Sequence, residues 1–207
     1  MKRRVIITLL LLSSVGLLMS DMNFGVGLDF PGTHEFSEAI ESMSTKTSFD
    51  SNMGLEIFSE YFAPLIKTSS INFEGGFGAA YFLPRGVKFG VDMIGDPVAG
   101  YPTVSFIPLY LLGQITANAQ DKMSFFGKAK FGYDVLLANE EYLGGVDQTG
   151  GLFLGFGGGV ILTNNVFIEL SYQMLHESLE LKSCYSEENP IDVTQSNLSI
   201  LVGLRMK

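Results

Sequence analysis

Two histidines and one cysteine stand among the 207 residues, so nucleophilic or metal chemistry has few places to begin. His176 and Ser178 lie two apart in "YQMLHESLEL" (172–181). On a strand such residues share a face, where an imidazole can take the proton of a hydroxyl and make it a nucleophile. His34 sits beside Glu35 and Glu38 in "THEFSEAIE" (33–41), a set able to attract a cation weakly. The Glu35, Glu38 and Glu41 spacing suits one helical turn in a solvated acidic loop, so no specific metal is expected there. Cys184 has no second thiol for a disulfide or a thiolate metal site and reads as a bystander in a polar segment. The glycines lie inside alternating stretches and do not open helices, so no phosphate cradle forms and no cofactor is expected.

The compartment is written at the start. "MKRRVIITLLLLSSVGLLMS" has a basic head, an apolar run and a small residue, Ser20, where a peptidase can cut. Residues 1–20 are therefore expected to be an export signal and 21–207 a single domain. No cysteine follows the apolar run, which argues against a lipoprotein. Removing Lys2, Arg3 and Arg4 takes the formal net charge from −9 to −12. Such a surface repels nucleic acid. With 46% apolar and 17% charged residues the chain is also no disordered polyelectrolyte.

The elements that would carry these residues follow from "GLFLGFGGGVILTNNVFIELSYQ" (151–173), which has five glycines in its first nine positions and no charge before Glu169. Two uncharged runs, 97–120 and 148–168, are long enough for membrane-spanning helices. Pro97, Pro102 and Pro108 break the first; glycines and the Asn164-Asn165 turn pair break the second. At period two the pattern resolves: Leu152, Leu154, Phe156, Val160 and Leu162 share one face, and Gly151, Phe153, Gly155, Gly157 and Gly159 the other. The same alternation recurs from 23, 52, 71, 122, 166 and 197, and an ambiguous apolar segment, 103–117, brings the count to eight strands. Pro108 inside that segment requires a bulge or a missing ladder bond. Short links (63–69, 118–121, 163–165) alternate with long ones (31–50, 84–101, 138–149, 182–192), the rhythm of an all-β, antiparallel, up-and-down transmembrane barrel. The long links hold Glu35, Glu38, Glu41, Glu140, Glu141, Glu187 and Glu188.

Period two does not say which face is outside. An eight-stranded barrel has an interior just wide enough for side chains, which glycines, charges and amides can fill. A charge on the lipid face at mid-membrane costs about 2–4 kcal/mol, which explains why the apolar face is kept free of charge along most strands. Phe24, Phe30, Tyr61, Tyr81, Tyr101, Tyr133 and Tyr172 fall near strand ends, where an interfacial girdle needs them. The apolar face is therefore expected outward, and the barrel closed, since an open edge in hydrocarbon leaves unpaired amides. The inward polar network is then Asp29, Glu56, Glu60, Glu74, Asp134 and Glu169 with Lys128, Lys130 and Arg205.

"INFEGGFGAAYFLPR" (71–85), "SFIPLYLLGQI" (105–115), the 151–173 stretch and "NLSILVGLRMK" (197–207) resemble the eight-stranded OmpA, OmpX and OmpW-like outer-membrane barrels of Gram-negative-type bacteria. The chain departs from them in closing on Met206-Lys207 where an aromatic residue is usual. The resemblance implies an integral outer-membrane protein amid lipid and lipopolysaccharide, its long loops offered to surface ligands. The function expected is a filled polar lumen with a structural or surface-interaction role. The alternatives are a narrow channel or carrier for small or apolar solutes, and a lipid A-modifying hydrolase. For the last, "HES" resembles the His-x-Ser pair of the outer-membrane lipid A 3-O-deacylases, which would make His176 the base and Ser178 the nucleophile, with Asp192 or Glu188 as the acidic partner. Leu179 stands where that family has asparagine.

Overall fold

The computed structural model describes residues 21–40, 43–50, 53–86, 103–119, 123–138, 146–148, 150–162, 165–181 and 190–206. Residues 1–20, expected to be an export signal, lie outside them, as do Tyr101, Cys184 and the acidic residues Glu41, Glu140, Glu141, Glu187 and Glu188. Among the described residues eleven strands are present: β1 (Asp21–Asp29), β2 (Thr33–Ile40), β3 (Met43–Asp50), β4 (Gly54–Lys67), β5 (Ile71–Gly86), β6 (Thr103–Ala119), β7 (Met123–Ala138), β8 (Val146–Gln148), β9 (Gly151–Leu162), β10 (Val166–Leu181) and β11 (Pro190–Met206). No helix of the described residues is long and apolar enough to cross a membrane.

Eight of them, β1, β4, β5, β6, β7, β9, β10 and β11, form a closed antiparallel barrel, because β11 pairs with both β1 and β10. Val202, for example, faces Val26 on one side and Ile168 on the other. Closure leaves no wall strand with an open edge, the condition for placing a sheet in hydrocarbon. The outer surface is apolar throughout: Val26, Ile57, Leu109, Leu111, Phe131, Phe156, Ile168, Leu170, Ile200 and Val202 are all exposed. In water such a belt would aggregate, whereas acyl chains solvate it. Phe24, Tyr81, Tyr133 and Tyr172 are exposed on the same outer surface, and Tyr61 stacks on Phe77 with ring centroids 5.2 Å apart.

Three of the four prolines within barrel strands, Pro64, Pro84 and Pro108, sit at flaws in a ladder, and the fourth, Pro190, opens β11. The β4–β5 register shifts between Pro64 and Ile66. Opposite Pro108, Ala80 and Tyr81 have no ladder partner on β6, and the register shifts again between Phe82 and Arg85, around Pro84. A missing N–H explains each. The turns at the other end are tight. Thr68 Oγ1 donates to the Ile71 carbonyl at 2.6 Å and accepts from Ile71 N–H at 3.0 Å. Asn165, at φ 61°, turns β9 into β10, a conformation asparagine tolerates better than most residues.

Two of the expected links are different. Segment 31–50 is not a loop: β2 and β3 form a hairpin, and β2 continues the β1 edge along the outer half of β11 (Ile191↔Glu38 to Ser196↔Thr33). Glu35 and Glu38 are consequently extended and lie on no helical turn. The long β11 decides this, since seventeen residues outrun the nine of β1 and leave backbone groups for a second partner. Within 138–149, β8 similarly continues the β9 edge along β10 (Leu179↔Gln148).

Candidate functional site

The inward faces of β1, β4, β5, β7, β10 and β11 deliver the ionic side chains to one axis. At its centre Lys128 on β7 bridges Glu60 on β4 and Glu169 on β10, 2.7 Å from each. Lys130, two residues on along the same face, lies 3.1 Å from Glu60 and 3.6 Å from Glu169. Tyr110 donates its hydroxyl to Glu60 at 3.2 Å. All four charged groups are closed to solvent, and two acids against two bases leave the centre neutral. Burying any of these charges alone would be prohibitive; mutual pairing and hydrogen bonding make the set tolerable.

Toward the short-turn end, Arg205 holds Asp21 (2.7 Å) and pairs with Glu74, which also accepts from Gln114 at 3.0 Å. Glu74 is only half-buried, at the rim of a cavity of about 350 Å³ that opens at this mouth between Lys67, Asn72 and Arg205. Toward the long-loop end, Gln173 donates to both oxygens of Glu56 at 3.2 Å. Ser199 donates to Asp29 at 2.6 Å and accepts from Asn197 at 3.3 Å. Asp134 is buried on β7 in the same half.

The filling adds aromatic and aliphatic side chains to the glycine, charge and amide mixture expected. Phe58, Phe62, Phe82, Phe106, Phe126, Phe153 and Phe167 are buried with Tyr110, Leu112, Leu175 and Leu201. The rings face the cations: Lys128 Nζ lies 5.6, 5.3 and 5.7 Å from the centroids of Phe62, Phe126 and Phe167, and Lys130 Nζ 5.6 and 5.3 Å from Phe58 and Tyr110. A negative ring face partly replaces the water each ammonium has lost. Inward-facing glycines make the room. A Cβ on Gly157 would stand 2.5 Å from Glu169 Oε1, and one on Gly78 would stand 2.7 Å from the Tyr110 ring. Phe58 and Phe62 share strand parity with Glu56 and Glu60, Gln173 with Glu169, and Asn197 with Arg205, and that parity is the sequence signal that finds them; Tyr110 lies on the ambiguous apolar segment, where parity marks no face.

Of the candidate hydrolase residues, His176 is exposed at the long-loop end of β10, and its Nδ1 lies 2.8 Å from Thr194 Oγ1. Backbone register pairs Ser178 with Asp192. The side chains of Ser178, Asp192 and His34 lie outside the described residues, as does Glu188. No group of three metal-ligating His, Cys, Asp or Glu side chains occurs among the described residues.

No protein-family model matches the chain, and no curated protein matches its sequence. Solved structures do. OprG of Pseudomonas aeruginosa superposes with a TM-score of 0.54 at 10% identity, over 91% of this chain and 96% of that one. AlkL, determined in lipid bilayers, gives 0.50 at 15% identity over 91% of each. Neisserial surface protein A gives 0.42 at 14% identity over 88% and 97%. The first two share the fold and little sequence, as expected where only alternation and closure are required. With that fold and an exterior that only lipid can solvate, the chain is an integral membrane β-barrel of the small bacterial outer-membrane type.

Proposed function

We propose that this outer-membrane barrel is a plugged scaffold: it anchors and displays the structures at its long-loop end and passes no solute through its axis. The observation that carries the reading is the Lys128–Glu60–Glu169–Lys130 cluster, packed between phenylalanine rings across the whole lumen. Opening an aqueous path would require separating buried ion pairs and moving rings together. The β2–β3 hairpin, which prolongs the wall past β1, supports a display role because it extends the platform on that side. Its partners are lipid and lipopolysaccharide around the wall and surface ligands at the loops. Purified protein in planar bilayers tests the reading: scaffold function expects no steady conductance, and stable open events would replace it with the channel. A second reading, a lipid A-modifying hydrolase, draws on the Ser178↔Asp192 pairing two residues from His176. Loss of a lipid A acyl chain on expression, abolished by Ser178→Ala, would establish it.

A further inference from the structure

The half of the lumen beyond the central cluster has an odd hydrogen-bond balance. Gln173 and Asn197 are cross-strand neighbours on β10 and β11 and are 1% and 2% exposed. Each uses its amide N–H group on the network, Gln173 toward Glu56 and Asn197 toward Ser199. Each leaves its carbonyl oxygen enclosed with nothing donating to it. Ser171 Oγ, one inward position away on β10, is enclosed and unpartnered as well. Neighbouring side chains on one face of a ladder stand about 5 Å apart at Cβ, so Gln173, Asn197 and Ser171 are neighbours on the lumen side of β10 and β11. Two carboxylates adjoin them. Glu56 is held by Gln173, while Asp29, held through Ser199, is its diagonal neighbour across the β1–β4 ladder (Asp29↔Gly54, Gly27↔Glu56). Lys130, the cation within Coulomb range of Glu56, is already engaged by Glu60 and Glu169.

Buried acceptors that face one another lack a donor or a cation. A donor-rich ligand such as an amine would find amide oxygens suitable, but these five groups present only open oxygens and combine carboxylate with neutral carbonyl and hydroxyl; the unpartnered nitrogen one inward position along β11, Gln195 Nε2, belongs to a buried amide whose own oxygen is open too. Such a mixed oxygen set matches the preferences of a hard cation, which takes about six to eight oxygens and keeps some of its water. We propose that Glu56, Asp29, Gln173, Asn197 and Ser171 form a cation site of the calcium class inside the barrel, between the central ion cluster and the long-loop end. Neither plugging nor solute passage bears on it, so it stands apart from the scaffold reading. The cation would tie β1, β4, β10 and β11 together beside the seam where the barrel closes.

The test is calcium titration of the full barrel in detergent after EDTA treatment, followed by calorimetry and by the unfolding temperature. The site predicts saturable binding of one Ca²⁺ and a higher unfolding temperature with calcium than with EDTA. Glu56→Gln should weaken binding about tenfold or more, by loss of a charged ligand. Asn197→Asp should tighten it, whereas a merely structural asparagine would leave the affinity unchanged. Absence of saturable binding overturns the proposal. So does calcium affinity indifferent to both substitutions, which would assign the ion to the acidic links. If Glu56→Gln does not fold, an Asn197→Asp barrel that binds calcium no more tightly than the parent overturns it alone.

Discussion

Lys128 Nζ and Glu60 Oε2 meet 2.7 Å apart in the middle of the barrel, with both side chains fully closed to solvent. Ion pairs in that setting are fragile to one-sided change, because removing one partner leaves a buried charge without compensation. Lys128→Met should therefore lower stability by about 3–5 kcal/mol. Denaturant-induced unfolding in detergent, read as the shift between compact and extended gel mobility, measures it. Adding Glu60→Gln to Lys128→Met should recover part of the loss, since one orphaned carboxylate is then gone.

Arg205 ties the two sides of the short-turn mouth, reaching Asp21 on β1 and Glu74 on β5. Water reaches this pair: the Asp21 side chain is 31% exposed. Solvent screening limits such an interaction, and a double-mutant cycle of Arg205→Met with Asp21→Asn should give a coupling of about 1 kcal/mol or less. A coupling as large as that at Lys128 would contradict the ranking of the two sites.

Inward and outward glycines should behave oppositely. Gly157 faces Glu169, and Gly157→Val should cost about 1–3 kcal/mol through overpacking. Gly127 faces open space outside the barrel, and Gly127→Ala should stay within about 0.5 kcal/mol of the parent. Equal effects in a chemical-unfolding series would mean that the lumen is looser than the packing indicates.

Leu170 is exposed on β10 four residues from Val166 at the short-turn end, and Met206 closes β11 at that end. Leu170→Arg should destabilise the barrel in lipid by about 2–4 kcal/mol and Met206→Arg by about 0–1 kcal/mol. Folding equilibria in phospholipid vesicles would show the difference, and its absence would place Leu170 outside hydrocarbon.

Much of the architecture is legible in the residues. Val166, Ile168, Leu170 and Tyr172 alternate with Glu169, Ser171 and Gln173, and the strand can satisfy that pattern in only two orientations. The absence of charge on the apolar face chooses between them, because lipid penalises charge and a filled lumen does not. The β2–β3 hairpin was not legible. "THEFSEAI" is short, polar and helix-compatible, and it becomes a strand because β11 offers it an edge. The lumen contacts were equally hidden: parity can place Phe58 and Phe62 beside Glu56 and Glu60 on one face, but not show that rings enclose the lysines.

What the sequence determined by itself is therefore local: strand period, the sign of each face, tight turns at one end and long links at the other, since each depends on neighbours a few residues away. Which carboxylate meets which ammonium was decided only by closure and stagger. Those bring Glu60, Lys128 and Glu169, from three strands that are far apart in the chain, to a single point on the axis.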